Sequence, residues 1–338
     1  MKKASKKQFM RLLVVLCVVF SFSVIVIGDE GMATVSQGRD VEVIYDGIRH
    51  SAPEYEWEES IVTFENEGLT LVCTLTIPIS PRRCPIIITL NGFVGSRDEF
   101  TIPGTDEGML KRLTRTLAEQ GFASLRVDFR GSGDSEGEYS ITSFSSQISD
   151  AMAAVEFVVN HLHDQVNYRK IGIVGYSQGG LIGTLTAARD KRVDSLVLWS
   201  PVSHPPIVYE GLLTKAGLKN GLSLQNGESI NLGIYVDGEY LGLDAHLGKG
   251  FFEDIFKIDP LAEIRSYKKP LMVIVGRKDL IIWPQPAMGE LFLNYHVGLE
   301  KLVLSEGDHD FDYWVEGPNP ETLDDSIYWT IAWFIKTL

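Results

Sequence analysis

The chain has 338 residues, of which 44% are hydrophobic and 10% aromatic, and its formal net charge at pH 7 is −14. This length and apolar content predict a folded protein with a sizeable core and exclude an intrinsically disordered chain. The negative charge argues against a nucleic-acid partner, because no basic stripe is present to meet phosphates. It is typical of an ordinary acidic, soluble surface.

The first 28 residues differ from the rest of the chain. Five positive charges lie within residues 2–11, and an apolar run extends over residues 12–27. A basic start followed by an apolar stretch is typical of a secretory signal, with cleavage after Gly28 or Ala33. The run is also close to the length of a membrane span, so a retained anchor is the alternative. We expect a secreted or extracytoplasmic protein, with membrane contact only if residues 1–28 are kept.

Two cysteines, Cys73 and Cys84, follow this leader. Export would permit a disulfide between them, and two separate buried thiols are the alternative. The sequence does not give the Cα separation that a disulfide requires. No cysteine pair has the spacing of a zinc site, and we expect neither a metal nor a cofactor.

Residues 29–58 are interpreted as an N-terminal extension and residues 59–338 as one domain, which opens with short β-rich runs such as "LTLVCTLTIP". From Pro85 onward, apolar runs such as "PIIITL", "KIGIVGYS" and "PLMVIVG" alternate with helical patterns. Apolar strands that alternate with helices predict an α/β fold with a doubly wound, mostly parallel sheet.

Two helices illustrate the pattern. The first carries Met109, Leu113 and Leu117 on one face and is expected to end at Gly121. The last helix is expected to have Asn319 as its cap and Pro320 as its first helical residue. Its apolar stripe consists of Ile327, Ile331, Phe334 and Leu338.

Residues 203–262 interrupt the alternation, because 60 residues stand where one helix is expected. Asp237 and Gly238 lie between apolar runs and predict a hairpin. A segment this long is usually functional, and we interpret it as a lid, with an inert insertion as the alternative. Five aromatic residues are candidates to line a substrate pocket there: Tyr209, Tyr235, Tyr240, Phe251 and Phe252.

The stretch "GYSQG" places Ser177 between Gly175 and Gly179, after a predicted strand and before a predicted helix. This G-x-S-x-G pattern is typical of a nucleophile held on a sharp strand-to-helix turn. The helix N-terminus also favours a developing negative charge at that point. We therefore predict Ser177 as a catalytic nucleophile.

A serine hydroxyl needs a base, and that base needs an orienting acid. His309, in "SEGDHDF", is the one histidine of seven that follows a late apolar strand in a loop able to reach Ser177. Asp279, in "GRKD", ends the preceding strand in the same way. Asp308 and Asp310 are rivals for the acid, but immediate neighbours seldom fold back onto their own histidine. The order Ser177, Asp279, His309 is the order expected for this motif.

Two backbone N–H groups are expected to stabilise the oxyanion. The first belongs to Gln178, next to the nucleophile, and the second to Phe93 in the loop "NGFVGS". The loop "DFRGSGDSEG" lacks the lysine of a phosphate-binding loop, so we interpret it as structural support. Arg130 and Asp134 are expected to tie neighbouring loops together.

These motifs, in this order, resemble those of the α/β-hydrolase superfamily over roughly residues 59–338. Within it, the "LNGF" and "GYSQGG" motifs and the hairpin-bearing lid are most similar to bacterial feruloyl or cinnamoyl esterases of the serine aminopeptidase-like group. The resemblance implies Ser177 as nucleophile, His309 as base, Asp279 as orienter, and Phe93 and Gln178 as oxyanion donors.

The expected function is cleavage of small-molecule carboxylic esters through an acyl-enzyme. Two enzymes of the same fold are alternatives: a monoacylglycerol-type lipase and an aminopeptidase-like enzyme that binds an amine through Glu210, Glu228 or Asp237. A non-catalytic binding protein on a hydrolase scaffold is the alternative from another class. The oligomeric state stays open.

Overall fold

The computed structural model describes residues 23–28, 31–36, 41–43 and 55–338. The chain divides into two units, Met1–Val41 and Glu42–Leu338. In the first unit, β1 (Ser23–Gly28) pairs antiparallel with β2 (Gly31–Ser36). The short strand β3 (Val41–Val43) begins at the last residue of the first unit and continues into the second. The expected signal segment lies outside the described residues up to residue 22, as do residues 29–30, 37–40 and 44–54 of the expected extension.

The remaining elements of the second unit follow in chain order: β4 (Trp57–Asn66), β5 (Leu69–Pro78), β6 (Pro85–Leu90), α1 (Met109–Glu119), β7 (Ala123–Val127), α2 (Phe144–His161), β8 (Asn167–Tyr176), α3 (Gln178–Arg189), β9 (Val193–Trp199), α4 (Pro205–Leu222), β10 (Ser229–Val236), β11 (Glu239–Gly248), α5 (Lys249–Lys257), α6 (Pro260–Ile264), β12 (Leu271–Gly276), α7 (Ala287–Tyr295), β13 (Glu300–Ser305), α8 (Tyr313–Glu316) and α9 (Glu321–Thr337).

Nine strands form one mostly parallel sheet in the order β3-β13-β12-β9-β8-β6-β7-β5-β4. The neighbours from β13 to β7 pair in parallel, whereas β5 is antiparallel to β7 and to β4. Parallel neighbours bring the carboxyl ends of β6, β8, β9, β12 and β13 to one edge. The predicted α/β fold is confirmed, and this edge is where the motif residues lie.

Apolar residues pack on both faces of the sheet, because successive side chains of a strand point to opposite sides. In β6, Ile86 and Ile88 belong to the core on one face, and Ile87 belongs to the core on the other. Helices α1 and α9 pack together on the Ile87 side. Residues of α2 and α3 pack on the opposite side. The central strands of a sheet covered in this way, such as β6, β7, β9 and β12, are buried. This explains why β6 and β12 are nearly uninterrupted apolar runs, whereas the edge strand β4 is mostly exposed.

The start of α9 differs from the expectation by one residue. Pro320 is the cap, with extended backbone angles (φ −77°, ψ 95°), and Glu321 is the first helical residue. Asn319 therefore precedes the cap and is not itself the cap. The carbonyl of Pro320 accepts the first turn's hydrogen bond from the N–H of Asp324 at 2.9 Å. The expected stripe of Ile327, Ile331 and Phe334 does face the core.

Between β9 and β12 the chain forms α4, a hairpin of β10 and β11, α5 and α6. The hairpin turns at Asp237 and Gly238, which both have positive φ (48° and 81°), as the sequence predicts. Three of the five aromatic residues expected to line a pocket, Tyr209, Phe251 and Phe252, are instead fully buried. They pack against the core because α4 and α5 lie against each other and α5 against α2.

Cys73 and Cys84 are both buried and not bonded to each other. Burial raises the pKa of both thiols, which keeps them protonated. The alternative of two separate apolar thiols thus describes these residues in the structure. Within the described residues, no helix has the length and apolar content needed to cross a membrane.

Candidate active site

Ser177 lies on the sharp turn between β8 and α3, with φ 54° and ψ −116°. This positive φ is unfavourable for a residue with a Cβ and is held by the close packing around it. A Cβ on Gly179 would lie 2.1 Å from the carbonyl oxygen of Leu90, and one on Gly175 would lie 2.3 Å from the carbonyl oxygen of Gly179. The two glycines of the motif are therefore needed because α3 approaches the ends of β6 and β8 so closely.

His309 lies between Ser177 and Asp279. Its Nε2 is 3.0 Å from the Ser177 Oγ, and its Nδ1 is 2.9 Å from the Asp279 Oδ2. The other carboxylate oxygen of Asp279 accepts the backbone N–H groups of Ile281 and Ile282, each at 2.8 Å. The structure thus brings the three predicted residues into one buried hydrogen-bonded chain. Each of them stands beyond the carboxyl end of a different strand.

The two rival carboxylates make other contacts. The Oδ1 of Asp308 accepts the backbone N–H groups of Asp310 and Asp312, each at 2.9 Å, and so shapes its own loop. Asp310 accepts a short hydrogen bond from the hydroxyl of Tyr176. Neither carboxylate hydrogen-bonds to the His309 ring among the contacts of the described residues, and the tyrosine ring lies 5.4 Å from the imidazole.

The charges at the site favour the ion pair between His309 and Asp279. Burial alone would raise the pKa of Asp279, but the charge of His309 and the hydrogen bonds to the carboxylate outweigh it and lower this pKa. Burial alone would lower the pKa of His309, but Asp279, followed by Asp310 and Asp308, raises it to about 9. The imidazolium form is therefore strongly stabilised, which suits a base that must hold a proton in the transition state.

Among the described residues, the backbone N–H groups of Phe93 and Gln178, the two predicted oxyanion donors, make no hydrogen bond to a protein acceptor. The N–H groups on either side of Phe93 are both engaged. The N–H of Gly92 donates to the Glu99 carboxylate, and the N–H of Val94 donates to the Tyr139 hydroxyl at 2.9 Å. The loop is therefore held in place while the donor predicted for the oxyanion stays available.

The loop after β7 holds the oxyanion loop in place through charge. Arg97, in the oxyanion loop, pairs with the buried carboxylate of Asp128 and with Asp134 at 2.6 Å. Arg130 pairs with the buried Asp150 of α2 at 2.7 Å. Arg130 and Asp134 therefore do tie neighbouring loops together, each with its own partner. Removing one member of a buried pair typically costs about 3–5 kcal/mol.

Glu99 lies beside the site, although no sequence pattern predicted it. Its carboxylate is buried at the base of the oxyanion loop and accepts the N–H of Gly92. Burial is the largest cause that raises its pKa, to about 8, and the nearby Asp310 adds to the effect. In the polar run "GSRDEF" nothing marks this residue, because its burial depends on how the loop folds over the sheet. Within the described part of the chain, no group of three His, Cys, Asp or Glu residues is arranged to hold a metal ion.

A cavity of about 400 Å³ lies beside the oxyanion loop. Val94 and Glu99 line it from that loop, and Ser132 lines it from the loop after β7. The β10–β11 hairpin contributes Asn231 and His246. The Ser132 hydroxyl is buried and has no hydrogen-bond partner in the structure. The inserted segment, residues 203–262, therefore contributes to a space beside the oxyanion loop, whose lining includes neither Ser177 and His309 nor the predicted oxyanion donors.

Comparisons with known proteins agree with this fold. Residues 104–220 match the family model described as serine aminopeptidase, S33. An uncharacterised 31.7 kDa protein of Escherichia coli is 21% identical over 65% of this chain and 80% of its own length.

Two solved structures share the fold. Est1E from Butyrivibrio proteoclasticus, with ferulic acid bound, superposes with a TM-score of 0.59 at 23% identity, over 80% of this chain and 99% of its own. The esterase domain of a Rhodothermus marinus protein superposes with a TM-score of 0.60 at 19% identity, over 83% and 99%. The chain therefore shares the α/β-hydrolase fold, and the family match over residues 104–220 supports a serine hydrolase.

Proposed function

We propose that this serine hydrolase cleaves carboxylic esters through an acyl-enzyme, with Ser177 as nucleophile, His309 as general base and Asp279 as its orienting acid. The observation that carries the proposal is the hydrogen-bonded chain in which His309 lies 3.0 Å from the serine oxygen and 2.9 Å from the aspartate oxygen. This chain connects a nucleophile, a base and an orienter, which is the arrangement that serine hydrolysis needs.

The first half of the reaction forms the acyl-enzyme. The Ser177 oxygen attacks the ester carbonyl carbon while the His309 Nε2 takes the hydroxyl proton. The carbonyl oxygen becomes an oxyanion that the N–H groups of Phe93 and Gln178 stabilise. When the tetrahedral intermediate collapses, the C–O bond to the alcohol breaks, and His309 returns the proton to the departing oxygen. Asp279 keeps the imidazole in the tautomer that leaves Nε2 free to accept a proton.

The second half repeats these steps with water. His309 takes a proton from water as the oxygen of that water attacks the acyl carbon. The new intermediate collapses, the bond to the Ser177 oxygen breaks, and the serine recovers its proton. The products are a carboxylic acid and an alcohol, and the enzyme returns to its starting state. The residues present are sufficient for every proton transfer.

Feruloyl or cinnamoyl esters are the substrate class that we propose. The likeness to Est1E with ferulic acid bound supports this choice. The cavity of about 400 Å³ beside the oxyanion loop has the size of a small-molecule site. We propose that residues 203–262 act as a lid over this space, since Asn231 and His246 of the hairpin line it.

Peptide hydrolysis is the second candidate, and the match to the serine aminopeptidase family favours it. That activity requires a carboxylate that binds the substrate amine. Glu210, Glu228 and Asp237, which the sequence offered for this role, are all exposed. Glu228 also accepts the backbone N–H of Gln225 at 2.7 Å. The exposure of these carboxylates favours ester hydrolysis over peptide hydrolysis.

We further propose that the protein is exported, with residues 1–28 as the leader. The basic residues 2–11 followed by the apolar run 12–27 support this proposal. N-terminal sequencing of the protein recovered from the producing cells would test it. A start near residue 29 indicates cleavage, an intact start in the membrane fraction indicates an anchor, and an intact start in the cytoplasm contradicts export.

Hydrolysis rates on a substrate panel test the activity. The purified protein would be assayed on p-nitrophenyl acetate, p-nitrophenyl butyrate, methyl ferulate and an aminoacyl-nitroanilide. Ser177→Ala should abolish ester turnover, and Ser145→Ala, an exposed serine of α2, should leave it unchanged. Methyl ferulate as the best substrate supports the feruloyl class. Faster cleavage of the nitroanilide supports the peptidase, and ester turnover that survives Ser177→Ala contradicts the mechanism.

A further inference from the structure

The inserted segment makes two contacts with the oxyanion residues through a single side chain, that of Tyr209 on α4. The ring of Tyr209 meets the ring of Phe93 edge to face, with centroids 5.4 Å apart and planes at 87°. Its hydroxyl donates a short hydrogen bond to the side-chain oxygen of Gln178. One residue from outside the parallel sheet thus contacts both of the residues whose N–H groups are proposed to bind the oxyanion.

The contact with Gln178 continues into the core. The side-chain amide of Gln178 donates to the side-chain oxygen of Gln147 on α2 at 2.6 Å. Tyr209, Gln178 and Gln147 are all buried. The oxygen and the nitrogen of the Gln178 side-chain amide are therefore both hydrogen-bonded. A buried amide with both polar atoms paired is rigid, which limits the movement of the residue that carries it.

The contact with Phe93 is part of a packed aromatic group. Phe93, Phe144, Tyr209 and Phe251 lie with neighbouring centroids between 5.2 and 5.5 Å apart. Phe144 begins α2, and Phe251 belongs to α5 of the inserted segment. Stacked and edge-to-face pairs of this kind add about 0.5–1.5 kcal/mol beyond simple burial. The group fixes the Phe93 side chain and, with it, the peptide that carries the N–H group.

From this arrangement we propose that Tyr209 is a positioning residue for the oxyanion hole, so that the inserted segment sets transition-state stabilisation in addition to lining substrate space. The proposal rests on the acyl-enzyme mechanism given above. Tyr209 acts on the two donor peptides through Phe93 and through Gln178, without touching the reacting atoms. A misplacement of about 1 Å in a catalytic group can lower the rate by about 100-fold, and removing one oxyanion donor lowers kcat by about 100- to 1,000-fold.

The test is Tyr209→Phe, which removes the hydroxyl and keeps the ring. We expect kcat on p-nitrophenyl acetate to fall about tenfold with KM changed by less than a factor of about three, because oxyanion binding occurs only in the transition state. The Ki of a trifluoromethyl ketone, which forms a tetrahedral adduct, should rise in parallel with the loss in kcat/KM. Tyr267→Phe, a buried tyrosine outside the insertion, is the matched control and should keep the wild-type rate.

A double-mutant cycle separates a positioning role from a structural one. Gln178→Met removes the side-chain partner and keeps the backbone N–H group. If the hydroxyl acts through that partner, Tyr209→Phe should have almost no further effect on kcat in the Gln178→Met background. If Tyr209→Phe does not fold, Gln147→Met loosens the other end of the same chain and should give the same split between kcat and KM.

The outcomes are distinguishable from failure of the proposed function. Loss of turnover in Ser177→Ala with wild-type kcat in folded Tyr209→Phe overturns the positioning role alone. An equal further loss in both backgrounds of the cycle overturns it as well. Turnover that persists in Ser177→Ala overturns the mechanism on which the inference rests.

Discussion

Asp279→Asn is the substitution that most sharply tests the site. The Oδ1 of Asp279 accepts two backbone N–H groups at 2.8 Å, from Ile281 and Ile282, and its Oδ2 faces the Nδ1 of His309 at 2.9 Å. An asparagine keeps one acceptor oxygen, and the two fixed N–H groups hold that oxygen on their side. Its NH₂ group therefore faces His309, so the Nδ1 of the imidazole has to lose its hydrogen and act as a hydrogen-bond acceptor.

The His309 ring then adopts the wrong tautomer for catalysis. Nε2 then carries a hydrogen toward the Ser177 oxygen and cannot accept the serine proton. A triad aspartate replaced in this way in other serine hydrolases lowers kcat by about 10⁴, or about 5.5 kcal/mol at about 1.4 kcal/mol per factor of ten. We expect a loss of this size with KM nearly unchanged, measured on p-nitrophenyl acetate.

The pH profile gives a second readout. In the wild type the pKa of His309 is raised to about 9, chiefly by Asp279 against the effect of burial, so kcat/KM should rise with pH until about 9. Without the Asp279 charge that pKa falls, and the residual activity of Asp279→Asn should reach its plateau at lower pH.

Asp310→Asn is the matched control, because the Asp310 carboxylate accepts a hydrogen bond from the Tyr176 hydroxyl and not from the His309 ring. A loss of thousands-fold in Asp310→Asn with an active Asp279→Asn would refute the assignment of the orienting acid.

Two further predictions concern stability. The pKa of Glu99 is raised by burial to about 8, so the folded state binds an extra proton and stability falls as pH rises from about 4.5 to about 8, by about 1.4 kcal/mol for each pKa unit. Glu99→Gln should therefore raise the Tm at pH 9 more than at pH 5. Glu58→Gln, at an exposed residue, should leave the Tm unchanged at both pH values. An equal rise in Tm at both pH values in Glu99→Gln would contradict this account of the Glu99 carboxyl. Gly179→Ala should lower the free energy of unfolding in urea by about 1–3 kcal/mol, because its Cβ would lie 2.1 Å from the carbonyl oxygen of Leu90. Gly211→Ala in α4, whose Cβ would have no atom within 4 Å, should raise that free energy by about 0.5–1 kcal/mol. A change of the same sign in both variants would count against the close approach of α3 to β6.

The sequence by itself determined the α/β class and the nucleophile turn, because both depend on local patterns of residues. Apolar strands alternating with amphipathic helices require a sheet covered on both faces. The glycines around Ser177 reflect a close approach that tolerates no side chain. His309 and Asp279 could be named because each follows a strand end, and parallel strands carry their ends to one edge.

Only the tertiary structure decided what the rival carboxylates do: Asp308 accepts backbone N–H groups of its own loop, and Asp310 accepts the Tyr176 hydroxyl, while Asp279 faces His309. It also decided that Glu99 is buried and that Tyr209 packs on the oxyanion residues in place of lining an open pocket. These features depend on contacts between segments far apart in the chain. Local periodicity carries no information about such contacts, since burial and hydrogen-bond partners are set by the packing of whole elements.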